Sequence, residues 1–596
     1  MHDRSIRLSL VILVTVGIAA VALSGGFAGV AMLDDSATPS SPGLASASDH
    51  DLAHQCAEEP PDDFADPADG NETIGWFDGY WYSEELDIDG EDGITEDELE
   101  KLSARTAARF EAMRCLTFEE IPPVEVVDRE TFAEETAERF ATVDEETRAF
   151  DNAQFETLLL IGSEEDSIDV REEDRTATVG GYYNFVDEEI VVISDDGETL
   201  LLDEAILAHE LGHALQDQHF GLAGYERNTH DLDVGKLGVI EGDVHRIEHG
   251  YLEHCEEGRW NEECVIDDGP DDEPGEAREP PVWGLYFMQF QPYSDGPNFV
   301  DHVYDEGGWD AVDALYDDMP RSALEVIYPE KYGEVDVDEL TDRSVEDRSG
   351  DDWERLTADG GQAYNVIGQS GLSAIFMDPA YDGDPSYQQN PIVAPEEFLN
   401  FDESGEVDST NPLNYDLDVS DGWRGDRLYA YEDDEGRTGT VWKLAWRDSG
   451  EAETFLHAYE RLIEHRGGER VDHTHTYEFD EGSEFDMALT IGLEDDRIWI
   501  VTAPSVDELE EIHDVEPLAY DTIDDEPADE EALGDDGADE TDATDDVIDE
   551  EEIDGDAADD DMGDNEDDPI PGFVALTAIV ALASILLLHR IWHTTR

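Results

Sequence analysis

The stretch DEAILAHELGHALQDQH, Asp203 to His219 with Gln218 included before the final histidine, decides how the rest of the chain is read. Leu207, Leu211, Ala214 and Leu215 recur at helical spacing, so one face of this segment is apolar and the spacing predicts a buried helix. Asp203 stands just ahead of it as an N-cap. His209 and His213 are one turn apart and project the same way, which lets both imidazoles reach one metal ion. Glu210 lies beside the first histidine. In such an HExxH helix the two histidines are metal ligands and the glutamate is the general base that takes a proton from the attacking water.

The third ligand divides two subclasses. His219 occupies the place of the third histidine in the pattern HExxHxxGxxH, but that pattern needs a glycine where this chain has Gln216, because the helix has to stop and turn there. On a continuing helix, His219 faces away from the site. Glu241, in the run Gly238-Val239-Ile240-Glu241-Gly242-Asp243-Val244-His245, is the rival, carried on a second helix that returns over the first. The sequence favours Glu241 and leaves His219 open.

Ala208 to Phe220, followed by Ile240-Glu241-Gly242-Asp243, resembles zinc-peptidase-like proteins that read His-Glu-Leu-x-His-Ala-Leu-Gln-Asp-Gln-His-Phe and then Glu-Gly-Asp, a gluzincin-type arrangement. The resemblance runs from about Trp76 to Leu518 and is strongest at the metal segment. It implies Zn2+ as cofactor, His209, His213 and Glu241 as its ligands, and Glu210 as base. One departure is that many gluzincins place an aspartate four residues after the ligand glutamate, where this chain has His245. His245, Asp243 and His219 therefore stand as supporting groups or alternative ligands. Glu241, His245 and His249 also fall one turn apart in succession, which reads either as a second metal site or as a polar helix face.

Acidity dominates the composition: 158 Asp plus Glu against 32 Lys plus Arg, a formal net charge of −126, with Lys101, Lys236, Lys331 and Lys443 the only lysines. Such a chain repels itself in dilute buffer but is screened and stays hydrated in molar salt, so the acidity reads as adaptation to an extremely saline habitat. It excludes a nucleic-acid-binding role, which needs a basic face. With 21 Phe, 21 Tyr and 11 Trp the chain has the means to build cores.

Residues 1–31, with Arg4 and Arg7 ahead of the apolar run Leu8 to Leu23, read as a signal peptide, and 32–75 as a disordered linker. Export gives the cysteines an oxidising setting. Cys255 and Cys264 would close a short loop, and Cys56 with Cys115 would tether the linker to the first long helix; other pairings, and a metal site including His254, stay open. Asn71-Glu72-Thr73 is a glycosylation sequon. Asp87 to Glu98 looks like a calcium loop, but its glycine falls one place late at Gly93, and Thr95-x-x-Glu98 makes a capping box instead.

Gly180 to Ser194 predicts a turn, an aromatic segment and the strand Ile190-Val191-Val192-Ile193, and the resemblance implies that an extended peptide substrate adds to a strand there. Helical patterns follow over Val282–Gln291, Phe299–Asp318 and Ser322–Tyr328. Tyr286, Tyr293, Tyr328 and His302 are candidates to stabilise an oxyanion, although aromatics at helical spacing are more often core. Beyond a soft boundary the segment 341–518 mixes helices with strands, and Arg424-Gly425-Asp426 reads as a structural turn beside a buried tryptophan. Residues 519–568 form an acidic, self-repelling stalk. In 569–596, Pro571-Gly572-Phe573, an apolar span and Arg590 resemble the PGF-CTERM sorting signal of archaeal surface proteins, which implies processing by an archaeosortase and attachment to the membrane.

The expected fold class is α+β: a zincin-like core over 76–340 whose active-site helix follows a mixed or antiparallel sheet, a mainly helical and α+β part over 341–518, then stalk and membrane helix. The expected function is a cell-surface zinc metallopeptidase of an extreme halophile, acting on a peptide or protein. A non-catalytic surface-layer or adhesion protein that keeps the fold is the alternative.

Overall fold

The computed structural model describes residues 56–518, apart from short stretches of which 195–203, 266–281 and 335–343 are the longest. The signal peptide, Asn71, the N-cap Asp203, the acidic stalk and the sorting signal lie outside the described residues. Among the described residues no helix is long and apolar enough to cross a membrane.

The chain mixes helices with sheets, an α+β protein. The N-terminal half runs β1 (Trp76–Phe77), β2 (Tyr80–Trp81), α1 (Glu96–Arg114), β3 (Val124–Asp128), α2 (Arg129–Phe140), α3 (Glu145–Thr157), α4 (Ser167–Thr178), β4 (Gly181–Asn184), β5 (Glu189–Ser194), α5 (Glu204–Phe220), α6 (His230–Glu256), α7 (Trp283–Gly307), α8 (Trp309–Leu315) and α9 (Ala323–Ile327). The C-terminal half follows with β6 (Trp353–Arg355), α10 (Gly368–Met377), β7 (Trp423–Asp433), β8 (Thr438–Trp446), α11 (Ser449–His465), β9 (Glu469–Arg470), β10 (Thr476–Glu478), β11 (Ala488–Glu494), β12 (Arg497–Ala503) and α12 (Leu509–Ile512). Its strands form one antiparallel sheet in the order β6-β7-β8-β12-β11-β10-β9.

Helix α5 buries the face its sequence marks: Leu207, Leu211, Ala214 and Leu215 pack with Leu102 and Phe110 of α1 and with Ile190 and Val192 of β5. The small sheet beneath it is mixed, in the order β3-β5-β4, with β3 parallel and β4 antiparallel to β5. This corrects the expectation for substrate. The β-branched strand β5 has a partner on each side, because β3, sixty-odd residues earlier, takes the edge a peptide would use. The strand at the sheet edge next to α5 is the aromatic β4, where a Cβ on Gly181 would lie 3.8 Å from the Glu210 side chain.

Three further features place the site. Thr95 and Glu98 form the capping box of α1, the Thr95 backbone N–H donating to the Glu98 carboxylate at 2.9 Å. Helix α7 runs unbroken through Pro292 and Pro297, where a break was expected between 291 and 299. It lies flat on α6 at a glycine contact: a Cβ on Gly242 would meet the Gly296 carbonyl oxygen at 2.3 Å, and one on Gly296 would meet the Gly238 oxygen at 2.6 Å. Only glycine allows these two backbones to approach so closely.

The largest hydrophobic core spans both halves, joining Leu158 to Ile161, Leu285, Met288 and Leu324 with Leu372, Phe376, Trp442, Phe455 and Ile500. The C-terminal half also meets the start of α6, where the Asp231 amide donates to the Val366 carbonyl at 3.0 Å and the His230 amide to Asn365 at 2.9 Å. Asp426 is fully buried, accepting from the Ile367 and Gly368 amides and from the indoles of Trp423 and Trp442 at 2.9–3.1 Å. The Arg-Gly-Asp run is therefore a folding element with its aspartate inaccessible.

Candidate metal centre

Helix α5 carries His209 and His213, and α6 crosses it carrying Glu241. His209 Nε2 and His213 Nε2 are 3.1 Å apart, and Glu241 Oε2 lies 3.5 Å from the first and 3.4 Å from the second. All three residues are buried. Each imidazole is oriented by its other nitrogen. His209 Nδ1 bonds Glu248 Oε2 at 3.1 Å, and His213 Nδ1 bonds Gln216 Oε1 at 3.0 Å. The Gln216 amide is itself fixed, because its Nε2 donates to the Ile240 carbonyl at 2.9 Å. In neutral rings with both Nδ1 atoms donating, both Nε2 lone pairs face the carboxylate oxygen and three acceptors converge on one point; in protonated rings the same nitrogens donate to Glu241.

That geometry fits a tetrahedral ion. Ligands at roughly 2.0–2.1 Å from zinc are about 3.3–3.4 Å from one another, and nitrogen, nitrogen, oxygen is a donor set zinc accepts. Glu210 Oε2 is buried and has no hydrogen-bond partner, as expected where a cation and its solvent belong, and buried Glu241 has the two histidines and the Tyr293 phenol against it. Burial works against a charge on Glu241, yet His213 and His209 hold its carboxyl well below the usual range. Burial raises Glu210, His209 and His213 pull it the other way, and Glu241 adds to the rise. The Tyr183 amide on β4 also donates to the Glu210 carboxyl.

His219 does not join the site. Helix α5 continues through Gln216, as a chain without the glycine must, and leaves His219 exposed with its Nε2 on the Thr117 carbonyl at 2.9 Å. Asp243 stands one step behind Gln216 rather than at the ligands: Arg114 donates to it at 2.8 and 3.1 Å, the Tyr316 hydroxyl at 2.8 Å and Gln216 Nε2 at 3.4 Å. His245 lies beside His209, ring centroids 4.9 Å apart, with Nδ1 on Glu248 at 2.9 Å. Cys56 is bonded to Cys115 and Cys255 to Cys264, so no thiolate is available to a metal with His254, which packs on Trp260.

Of the oxyanion candidates, Tyr293 is brought to the centre. Its phenol is buried on α7, and burial together with Glu241 and Glu210 raises it well above the ordinary value. Tyr286 stacks on Phe290, Tyr328 bonds Asp416 and Gln369, and His302 sits 4.0 Å from Glu306. The sequence reading missed Glu248. It stands seven residues after Glu241, two turns along the same helix face, and that spacing was the available signal.

Residues 354–513, from within β6 to just past α12, match a family described as a domain of unknown function (DUF8575). The metal centre lies outside that match. No curated protein and no solved structure matches the chain.

Proposed function

We propose that the chain is a zinc-dependent peptidase of the gluzincin type, displayed on the cell surface of an extreme halophile. The observation that carries this reading is the triangle of His209 Nε2, His213 Nε2 and Glu241 Oε2, with sides of 3.1–3.5 Å, beside the buried carboxyl of Glu210. Zinc held by the three residues would supply a Lewis acid that polarises the scissile carbonyl and acidifies water. Glu210 takes the proton from the attacking water and passes it to the leaving amine, and its burial keeps the carboxyl basic enough for both transfers. Tyr293, whose phenol lies against Glu241, is the group that would turn to donate to the developing oxyanion. Strand β4 offers its outer edge to an extended peptide, next to Glu210. A signal peptide and a PGF-CTERM anchor cut by an archaeosortase, with the acidic stalk between, would hold this folded part outside the membrane.

Digestion of a mixed peptide library by the full chain in molar salt, beside its Glu210→Gln form, tests the reading. Cleavage by the first alone supports it. Silence from both, with zinc bound and the protein folded, moves the reading to a non-catalytic surface protein.

A further inference from the structure

The centre has one more potential ligand than an open catalytic site uses, the half-buried His245. His245 is one turn from Glu241 on α6, as His213 is one turn from His209 on α5, so each of the two helices carries a pair of potential ligands on one face. His209 Nδ1 and His245 Nδ1 share a single carboxylate oxygen, Glu248 Oε2, at 3.1 and 2.9 Å. A carboxylate on the inner nitrogen is what orients a ligating imidazole and raises its basicity. It also leaves Nε2 as the free acceptor. His245 Nε2 is buried and has no hydrogen-bond partner, and the ligand atoms of His209, Glu241 and His245 lie within 4.8 Å of one another. That bound exceeds a tetrahedral edge by roughly 1.5 Å, within reach of a small side-chain rotation.

We propose that His245 is a fourth protein ligand of this centre, closing it against solvent in the resting protein. The inference rests on the reading of His209, His213 and Glu241 as zinc ligands. A sphere of four protein donors is that of a structural site, whereas a catalytic one keeps a position open. Opening the centre then means releasing His245, and Glu248, which already holds the ring through Nδ1, keeps it close enough to return. The peptidase is in this sense latent, and substrate that takes the fourth position displaces His245.

Cobalt substitution of the full chain in molar salt tests this without any peptide. The visible absorption of the Co2+ form is recorded with and without azide, and metal affinity is measured by chelator competition for the wild type, His245→Ala and His209→Ala. The expected wild-type spectrum is that of a tetrahedral centre insensitive to azide, and the expected His245→Ala form binds metal about tenfold or more weakly and becomes azide-responsive. A wild-type spectrum that shifts with azide overturns the proposal by itself, even if His245→Ala fails to fold. Unchanged affinity in folded His245→Ala overturns it too, and assigns His245 to a place beside the metal. If His209→Ala also keeps full affinity, the metal centre itself is refuted, which separates that failure from this one.

Discussion

Glu204 begins helix α5 and is fully buried, yet its surroundings favour the charged form. Arg105 Nη2 donates to its two oxygens at 3.1 and 3.2 Å and Arg109 Nη1 at 2.7 Å; the Val265 amide donates at 2.9 Å, and the Tyr251 hydroxyl completes the set. Burial alone would raise this carboxyl, but Arg109 and Arg105, with the Tyr251 hydroxyl and the Val265 amide, together hold it low. A Glu204→Gln change keeps the shape and leaves two buried guanidinium groups without their counter-charge. Removing one partner of a buried ion pair costs about 3–5 kcal/mol, against about 0–1 for an exposed pair. At a urea slope of about 3 kcal/mol/M the unfolding midpoint should fall by roughly 1 M or more, measured in molar salt, which screens a buried pair little. Replacing Arg105, Arg109 and Glu204 together by methionine should recover much of the loss, because no charge then stays buried. A midpoint shift below about 0.3 M for Glu204→Gln would refute the reasoning, since it would show a cluster that behaves as if solvated.

Glu248→Gln should weaken zinc binding about ten- to hundredfold with the fold intact, read by chelator competition and circular dichroism. Gly242→Ala puts a methyl group 2.3 Å from the Gly296 oxygen. With backbone rather than a flexible side chain opposing it, the change should destabilise by about 1–3 kcal/mol and loosen the metal with it, seen in urea unfolding and zinc retention. Glu111 accepts the Phe118 and Gly75 amides, but burial is the larger effect and pushes its carboxyl up to about 8. Its folded value lies above the unfolded one, so folding takes up a proton between about pH 4.5 and 8 and stability falls as pH rises through that window. Glu111→Gln should flatten this slope in melting temperatures recorded from pH 5 to 9; an unchanged slope would remove Glu111 as its source.

What could be read from the sequence was local. His209, Glu210 and His213 share one helix whose apolar positions identify it, and Gln216 in place of glycine implies a helix that runs on past His219. Glu241 followed from its neighbours, and Gly242 beside it has a physical reason in the contact with Gly296. The rest was hidden by long-range pairing and by composition. Strand β5 looked available to substrate because nothing in Ile190 to Ile193 announces that Val124 to Asp128 lies beside it. Tyr293 looked like core because aromatics at helical spacing more often are, and its place beside Glu241 is created only by the fold. Glu248 was one carboxylate among 158 acidic residues, so its spacing of seven from Glu241 did not stand out.

The same acidity shows why the interior is more informative than the surface in this chain. Where solvent and molar salt screen charge, one more carboxylate changes little, and its position carries little meaning. A buried carboxylate has to be matched, because desolvation is costly unless donors or cations face it. Glu204 is matched by two arginines, Asp243 by Arg114 and Tyr316, and Asp426 by two amides and two indoles. Glu241 is different. Besides the Tyr293 phenol it faces two histidine nitrogens that, in neutral rings whose Nδ1 donates to Glu248 and Gln216, carry no proton of their own. A pair of protonated imidazoles could satisfy it, but they would put two positive nitrogens 3.1 Å apart, a repulsion that a single ion bound to all three groups removes. Zinc titration followed by proton release separates the two: binding to neutral imidazoles releases few protons from the histidines, whereas displacement of a protonated pair releases up to two.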